Sequence, residues 1–259
     1  MKILFIGDIF AKPGRLILSN RLERLKSIYK WDVCIANAEN AAGGKGINFN
    51  AADEIFGSGV DAVTMGNHTW ARKEVFNFID SCSKMIRPAN FPKGVPGRGR
   101  MIIEKNGVKV GLLNLIGRIY MDPPSECPFH TADREIPLLR QQCRVILVDF
   151  HAEATSEKTA LAYYLDGKVS AVIGTHTHVQ TSDERILDNG TAFITDAGMT
   201  GPTEGIIGVD KELIIQKFIF GLPGHFEPAK GRICLNAVLV TVDENTGRAL
   251  EIKRISDNI

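Results

Sequence analysis

What most constrains the fold of this chain is a series of short apolar runs, each followed at once by polar side chains able to bind a metal ion. The runs occupy residues 2–6, 33–38, 62–65, 145–150 and 169–173. Segments with the spacing of amphipathic helices lie between most of them, so strands and helices are predicted to alternate. Open α/β sheets place ligand sites beyond the carboxyl ends of their strands, and we therefore expect one site at these run ends.

The last of these runs ends in the most informative stretch, Gly174-Thr175-His176-Thr177-His178. Residues two apart in a strand project to the same face, so both imidazole rings can reach one pocket. Neutral imidazole is the side chain that most often ligates metals in proteins. Two loop histidines on their own are as readily inert as functional, and the other run ends therefore decide the interpretation.

The other run ends carry side chains of the same kind. They hold Asp8, Glu39, Asn40, Asn67, His68 and His151. Several have a structural explanation when taken singly: Asp8 can cap a helix, Asn67 can form a turn and His151 can be a buried core histidine. Because eight such residues fall on five run ends, a shared metal site is the better interpretation. Carboxylate, amide and imidazole ligands together suit Mn, Fe or Zn rather than Ca.

Composition narrows the class of protein. The 259 residues are 44% hydrophobic and no repeat or linker divides them, so one domain over residues 1–259 is expected. With 31 basic and 30 acidic residues the net charge is +1, which gives no overall field to attract nucleic acid or a membrane. The 5 cysteines are scattered without a C-x-x-C pair, a pattern typical of reduced thiols in the cytoplasm. No apolar run has the length expected of a signal peptide or a membrane span.

Periodicity and turn residues predict the remaining elements. Helices are expected at residues 16–29, 51–57 with Asn50 as N-cap, 73–82, 155–165 and 210–220. Hairpins are expected at 101–116 around an Asn106-Gly107 turn, at 186–195 and at 233–255. Residues 117–133 hold three prolines and no period, so a long loop beside the site is expected there, and 196–202 is expected to be a loop that can close over a ligand.

Five sequence blocks resemble, in order, those of the calcineurin-like metallophosphoesterases. They are Gly7-Asp8, the acidic run end at Glu39, Gly66-Asn67-His68, the single His151, and the stretch from Gly174 to His178. The resemblance implies the fold of that superfamily, an α/β four-layer sandwich of two mixed β-sheets flanked by helices. It also implies two metal ions held a few ångströms apart.

Two departures from the superfamily pattern narrow the resemblance. Phe10 stands where the superfamily usually has a histidine ligand, and Glu39-Asn40 stands where it usually has a bridging aspartate. These departures, with the stretches at 37–40, 66–70 and 195–199, resemble the YmdB-type subfamily. Members of that subfamily are 2′,3′-cyclic-nucleotide 2′-phosphodiesterases, so hydrolysis of a small nucleotide phosphodiester to a 3′-monophosphate is the implied activity.

The resemblance also implies a role for each site residue. Asp8, Asn40 and His178 would hold one metal, and Asn67, His151 and His176 the other. Glu39 would bridge the two ions, and His68 would act as general acid toward the leaving oxygen. Two such ions hold phosphate oxygens and activate a shared water for in-line attack. Two transition-metal ions are expected, Fe or Mn first and Zn as an alternative. Because Phe10 replaces a histidine ligand, the ligands of the first ion would be richer in oxygen than in the wider superfamily.

Other interpretations of the sequence remain open. An amidohydrolase-type TIM barrel also uses His-x-His, but normally after its first strand, whereas His176 and His178 follow four other ligand blocks. A non-catalytic nucleotide or metal sensor would keep the same residues. Within the phosphoesterases, the substrate could instead be a phosphomonoester, a 3′,5′-cyclic nucleotide, a cyclic dinucleotide or an RNA end. The near-zero net charge weighs against binding along a nucleic-acid backbone, and assembly into a homo-oligomer is left open.

Overall fold

The computed structural model describes residues 1–224 and 226–258, which form 14 strands and 5 α-helices. The strands are β1 (Lys2–Ile6), β2 (Asp8–Ile9), β3 (Val33–Asn37), β4 (Ala62–Thr64), β5 (Met85–Ile86), β6 (Arg100–Lys105), β7 (Val108–Ile116), β8 (Val145–His151), β9 (Ala171–Thr175), β10 (Arg185–Ile186), β11 (Ala192–Ile194), β12 (Met199–Pro202), β13 (Ile233–Val242) and β14 (Ala249–Asn258). The helices are α1 (Ala11–Tyr29), α2 (Phe49–Gly57), α3 (Pro128–Arg140), α4 (Thr155–Tyr164) and α5 (Lys211–Phe220).

The strands form two mixed sheets. The first has the order β2-β12-β13-β1-β3-β4-β5, with β14 paired to β13, and the second has the order β10-β11-β9-β8-β7-β6. In the first sheet β1, β3, β4 and β5 run parallel, and in the second β7, β8, β9 and β11 do. The carboxyl ends of each parallel set therefore meet at one edge of its sheet. At that edge of the second sheet, the register of β8 and β9 sets His151 opposite Thr175.

The main core lies between the two sheets. Alternate residues of the strands face it, among them Ile3 and Phe5 from the first sheet and Leu147 and Ile173 from the second. The intervening residues of the same strands pack outward against helices, so both faces of each strand are buried. This double burial explains why the runs are continuously apolar instead of alternating. Each large apolar side chain that is fully buried contributes about 1.5–3 kcal/mol to stability.

Helices cover the outer faces of both sheets. α1 packs Ile17, Leu18 and Leu22 onto the first sheet, and α3 and α4 pack Ile136 and Leu161 onto the second. The resulting order of layers is helix, sheet, sheet, helix. The predicted four-layer sandwich is therefore confirmed, and a TIM barrel is excluded because the strands form two separate sheets. Within residues 1–224 and 226–258, no helix is long and apolar enough to cross a bilayer.

Several predicted elements match the structure closely. The Asn106-Gly107 turn has φ values of 52° and 78°, both positive as a type I′ turn requires. The hairpin from β6 to β7 and the pairing of β13 with β14 are also as expected. Helix α5 begins after Asp210, whose carboxylate accepts hydrogen bonds from two backbone N–H groups of the first turn.

Two predicted elements were wrong. The helix expected at 73–82 is only a short 3₁₀ segment, Lys73–Asn77. Its apolar residues suggested one buried face, but Val75 is buried while Phe76 is half exposed and stacks on Trp70. The loop expected at 117–133 ends early, because α3 begins at Pro128. Three prolines in this stretch predict a loop, but the fixed φ of Pro128 also suits the first position of a helix.

Smaller corrections concern helix starts and the loop at 196–202. Asn48, not Asn50, caps α2, since its side chain accepts a hydrogen bond from the Ala51 N–H at 2.9 Å. α1 begins at Ala11 because Pro13 falls in the first turn, where a missing N–H costs no hydrogen bond. Residues 199–202 form β12, paired with β2 and β13, so most of the predicted closing loop is part of a sheet.

Candidate metal centre

The structure brings all eight predicted residues to one place. They lie at or just beyond the carboxyl ends of β1, β3, β4, β8 and β9. Because the two sheets present these ends at the same edge of the sandwich, side chains far apart in sequence become neighbours. Contacts between these side chains link them into two adjoining groups that share the carboxylate of Glu39.

The first group surrounds the Nε2 atom of His151. That nitrogen lies 3.0 Å from Asn67 Oδ1, 3.1 Å from His176 Nδ1 and 3.3 Å from Glu39 Oε1. The donor atoms of Glu39, His151 and His176 all lie within 4.8 Å of one another. Two imidazoles, an amide oxygen and a carboxylate are thus directed at a common point, which is the arrangement that a transition-metal ion requires.

A buried network behind His151 sets the orientation of its ring. Thr175 Oγ1 donates a hydrogen bond to Asp149 Oδ1 at 2.7 Å, and Asn37 donates to Asp149 Oδ2 at 3.0 Å. The Thr175 oxygen can therefore accept from His151 Nδ1, which lies 2.9 Å away. With Nδ1 bound in this way, Nε2 faces the other ligands. Such support of a ligand from behind is typical of metal-binding histidines.

The two histidines of this group have opposite pKa shifts. Burial acts to lower the pKa of His151, but the nearby carboxylates of Glu39, Asp8 and Asp149 outweigh it and raise that pKa to about 9. Burial and the positive charge of His151 lower the pKa of His176 to about 3. His176 is therefore neutral at physiological pH, and its lone pair is available for a metal. Its Nε2 contacts Glu153 Oε2 at 3.1 Å.

The second group consists of Asp8, Asn40 and His178. Asn40 Nδ2 lies 3.1 Å from His178 Nε2, and Asp8 Oδ1 lies 4.0 Å from the same nitrogen. The Nδ1–H of His178 donates to the carbonyl oxygen of Ile207 at 3.0 Å, which directs Nε2 toward the group. Phe10, at the position where the wider superfamily has a histidine, packs edge-on against the His178 ring with 5.8 Å between centroids.

Asp8 supplies the observation that tests whether this group suits a cation. Its Oδ2 accepts the backbone N–H of His176 at 3.1 Å, but its Oδ1 is buried without a hydrogen-bond partner among the described residues. Burial raises the pKa of this carboxyl, and the nearby His178 and His151 only partly oppose the shift. A buried carboxylate oxygen without a partner is costly. A metal ion beside it would remove that cost, so the residues present fit a metal.

Glu39 lies between the two groups. Its Oε1 accepts from Asn40 Nδ2 and from His68 Nδ1, each at 3.0 Å, and lies 3.3 Å from His151 Nε2. Burial acts to raise the pKa of Glu39, but the charge of His151 and the hydrogen bonds from His151 and His68 hold it well below its usual range. The carboxylate is therefore ionised and contacts ligands of both groups.

His68 is held at one nitrogen and open on its other side. Its Nδ1 lies 3.0 Å from Glu39 Oε1 and 2.9 Å from Asn40 Oδ1. The side chain is 26% exposed, whereas Glu39 is completely buried. His68 lines the cavity above the two groups, so its ring can contact a molecule bound there.

The loop that carries His176 and His178 adopts a strained backbone. Both histidines have positive φ, 102° and 67°, a region that costs a non-glycine residue about 1–3 kcal/mol. Thr177 between them is fixed from beneath: its N–H and Oγ1 both donate to Asp196 Oδ2, at 3.0 and 2.7 Å. Lys158 donates to the same oxygen at 2.8 Å, and both charged groups are buried. This buried pair holds the strained loop in place.

The sequence of this chain matches a known protein family. The family model described as YmdB-like protein matches residues 4–255. The chain belongs to the YmdB-like family. A curated relative, the 2′,3′-cyclic-nucleotide 2′-phosphodiesterase of Bacillus subtilis (strain 168), is 49% identical over 258 residues, which cover 100% of this chain and 97% of the relative.

Solved structures agree with the YmdB-like assignment. A phosphatase from Mycoplasma pneumoniae superposes with a TM-score of 0.93 at 38% identity, covering 100% of this chain and 93% of that one. A putative 5′-nucleotidase from Staphylococcus aureus superposes with a TM-score of 0.61 at 13% identity, covering 98% of this chain and 54% of that one. At that identity the second likeness shows the fold alone, and it agrees with the predicted sandwich.

Sequence reasoning missed the residues that support the centre of this YmdB-like protein. Asp149 and Asn37 are polar residues inside otherwise apolar runs, and that position was a signal of their role in orienting His151. Nothing in the sequence pairs Lys158 with Asp196, or Glu153 with His176. The carbonyl oxygen that binds His178 belongs to an isoleucine, so no side-chain pattern could reveal it.

Proposed function

We propose that this YmdB-like protein is a metal-dependent phosphodiesterase that hydrolyses 2′,3′-cyclic nucleotides to 3′-monophosphates. The observation that carries the proposal is the grouping of eight polar side chains around the buried, ionised carboxylate of Glu39. The substrate is taken from the Bacillus subtilis relative, whose name is 2′,3′-cyclic-nucleotide 2′-phosphodiesterase.

The chain is a hydrolase of phosphodiester bonds. It belongs to the YmdB-like family over residues 4–255, and it shares 49% identity with a phosphodiesterase along its whole length. The relative of known structure at 38% identity is described as a phosphatase, which is a hydrolase of the same phosphorus–oxygen bond type. The presence of all eight polar side chains in contact with one another favours an active enzyme over a sensor.

The two groups of ligands suit two metal ions. Asp8, Asn40 and His178 would hold one ion, Asn67, His151 and His176 the other, and Glu39 would bridge them. The mixture of nitrogen and oxygen donors suits Mn, Fe or Zn. Such ions, when bound, neutralise charge on phosphate oxygens and lower the pKa of a bound water toward neutrality.

His68 has the position expected of the general acid. Glu39 and Asn40 accept from its Nδ1, so they fix the orientation of the ring. The other edge of the ring faces the cavity, where Nε2–H can give its proton to a leaving alkoxide oxygen.

The position of His68 also decides which ribose oxygen leaves when the cyclic phosphate is opened. A 2′,3′-cyclic phosphate offers two leaving oxygens on one ribose, and in-line attack requires the leaving oxygen to lie opposite the attacking water. Only one orientation of the ribose then places the leaving oxygen beside His68. We propose that this oxygen is the 2′ oxygen, so the 3′-monophosphate is the product.

Product analysis tests the proposed function. The protein loaded with Mn or Fe should convert 2′,3′-cyclic AMP and GMP to 3′-AMP and 3′-GMP, separated chromatographically from their 2′ isomers. It should act poorly on 3′,5′-cyclic AMP, whose six-membered ring sets the leaving oxygen at a different angle. A predominant 2′-monophosphate, or no turnover of either 2′,3′-cyclic nucleotide, would contradict the proposal. Release of inorganic phosphate from 3′-AMP would instead indicate a phosphomonoesterase.

A further inference from the structure

We propose that Phe226, together with Lys45 and Lys217, forms a subsite that binds the nucleobase of the substrate. This inference rests on the proposed function, because it concerns the part of a nucleotide that the metal centre does not touch. The metal ligands and His68 can account for the phosphate and the leaving oxygen. They do not explain an apolar surface that continues from them along one side of the same cavity.

The cavity is large enough for a whole nucleotide. Its volume is about 770 Å³, within the range of roughly 300–1,000 Å³ that is usual for small-molecule sites. Its floor is formed by the eight polar side chains of the metal centre, of which Glu39, Asn40, His68, His176 and His178 line it. We use the name wall for the segment of residues 206–224 and 226–228, part of which lines the cavity. The wall contributes mainly apolar side chains: Ile206, Ile207, Val209, Ile214, Phe218, Phe226 and Pro228.

The part of the wall that holds Phe226 is well supported. Two backbone hydrogen bonds join the segment 208–210 to the segment 227–229. The Asp210 N–H donates to the Glu227 carbonyl and the Ala229 N–H donates to the Gly208 carbonyl, each at 2.9 Å. The Phe226 ring packs against a small apolar cluster that includes Phe10 and Ile214. Phe10 in turn contacts His178, so the ring has a fixed relation to the floor.

Two ammonium groups lie over this ring in cation–π contacts. The Nζ atom of Lys217 is 4.8 Å from the ring centroid of Phe226, and that of Lys45 is 5.9 Å from it. Among the described residues, the lysine side chains in ion pairs are those of Lys105 and Lys158. The ammonium groups of Lys45 and Lys217 contact the Phe226 ring and form no ion pair among these residues, so each can still donate hydrogen bonds to a ligand.

A nucleobase matches this combination of groups. It has a flat aromatic face that stacks on or against a phenyl ring, as bases do on protein aromatic side chains. Its edge carries ring nitrogens and carbonyl oxygens that accept hydrogen bonds from ammonium groups, as N7 and O6 of guanine do. A purely hydrocarbon group, such as an acyl chain, would leave the two ammonium groups without acceptors.

The test compares substrates with and without a base. Glycerol 1,2-cyclic phosphate has the same five-membered cyclic phosphate as 2′,3′-cyclic AMP but no base. For F226A, the kcat/KM for 2′,3′-cyclic AMP should fall about tenfold relative to that for glycerol 1,2-cyclic phosphate, mainly through KM. F226L, which keeps an apolar side chain without the ring, should show the same selective loss. F220A is the matched control, because Phe220 is 67% exposed and does not line the cavity.

Equilibrium binding supplies a readout that does not depend on turnover. Adenosine has no phosphate for the floor to bind, so its binding, measured by calorimetry, reports on the subsite alone. Adenosine should bind to the wild-type protein and to F220A with the same affinity. An affinity at least fivefold weaker in F226A and in K217M supports the proposal. Equal loss for both cyclic phosphates in F226A, or adenosine binding unaffected by F226A, would overturn it. If no cyclic phosphate is hydrolysed the proposed function fails, and the adenosine measurement still decides the subsite.

Discussion

The floor and the wall of the cavity differ in almost every physical respect. The floor is made of polar side chains at the ends of sheet strands, and Asp8, Glu39 and His151 are completely buried. The wall is mostly apolar and much of it is exposed: Phe218 is 79% exposed, and Ile219 and Phe220 are each 67% exposed. Floor residues come together from distant parts of the sequence, whereas the wall is one local segment.

On the proposed function, this difference separates the residues that carry out the reaction from those that select the substrate. Two sheets fix the floor, so its geometry is shared by any chain with this fold and these residues. The wall contacts the floor through the His178 hydrogen bond to Ile207 and the packing around Phe10. A segment of that kind can change in sequence without disturbing the sheets, which is where binding specificity usually resides.

The largest expected effect follows from removing a floor ligand. Asp8→Ala, Glu39→Ala and His176→Ala should each lose metal and about 10³-fold or more in activity together, because the chemistry depends on the ions. Elemental analysis beside an activity assay measures both quantities. His130→Ala is the matched control, since His130 is exposed on α3 away from the centre. A full complement of metal in all three variants would show that the ligand assignment is wrong.

A more selective loss is expected for His68→Ala. This variant should keep its metal ions but lose about 10²–10⁴ in rate, the usual contribution of general acid–base catalysis. The loss should be smaller for bis(p-nitrophenyl) phosphate, whose leaving group needs little protonation. His130→Ala again controls for removal of an imidazole. If both kinds of substrate slow equally, His68 positions the phosphate and does not donate the proton.

A third prediction concerns the support of the floor. Lys158→Met should lower the free energy of unfolding by about 3–5 kcal/mol, because it leaves the buried carboxylate of Asp196 without its charged partner. Urea denaturation followed by circular dichroism measures the change. Lys12→Met, at an exposed position of α1, should change stability by less than about 0.5 kcal/mol. Similar values for the two variants would mean that the pair does not stabilise the His176–His178 loop.

The smallest effect is expected in the wall. Ile219→Ala should change the free energy of unfolding by less than about 0.5 kcal/mol, since the side chain is mostly exposed. Ile173→Ala, in the core between the sheets, should cost about 2–5 kcal/mol. Urea denaturation of the two variants side by side gives the contrast directly. A cost above about 1 kcal/mol for Ile219→Ala would show that the wall is packed against something in solution.

The floor was largely predictable from the sequence and the wall was not. Asp8, Glu39 and His151 each follow an apolar run, and the parallel arrangement of strands carries such positions to one edge. No comparable rule applies to the wall. Helix α5 was predicted from the sequence, but Ile214 is buried while the adjacent Ile215 is half exposed, and only the three-dimensional arrangement decides which one packs.

The wrong secondary-structure predictions also arise from tertiary contacts that the sequence does not reveal. The segment at 73–82 has helical spacing, yet Phe76 stacks on Trp70 outside any common buried face, so tertiary contacts overrode the local pattern. The network of Asn37, Asp149 and Thr175 depends on the register of three strands from two sheets. Register between sheets is set by packing of the whole core, which a single sequence does not state directly.

The hydrogen bond from His178 to the carbonyl of Ile207 has an evolutionary consequence. Because the acceptor belongs to the backbone, a substitution at position 207 keeps the hydrogen bond wherever the new residue adopts the same backbone conformation. Ile207 itself has a positive φ of 45°, an uncommon conformation for a β-branched residue, so many replacements would relieve strain there. On the proposed function, the wall can therefore acquire such mutations next to the candidate ligand His178 while the orientation of its ring is kept, and substrate preference can change without loss of activity.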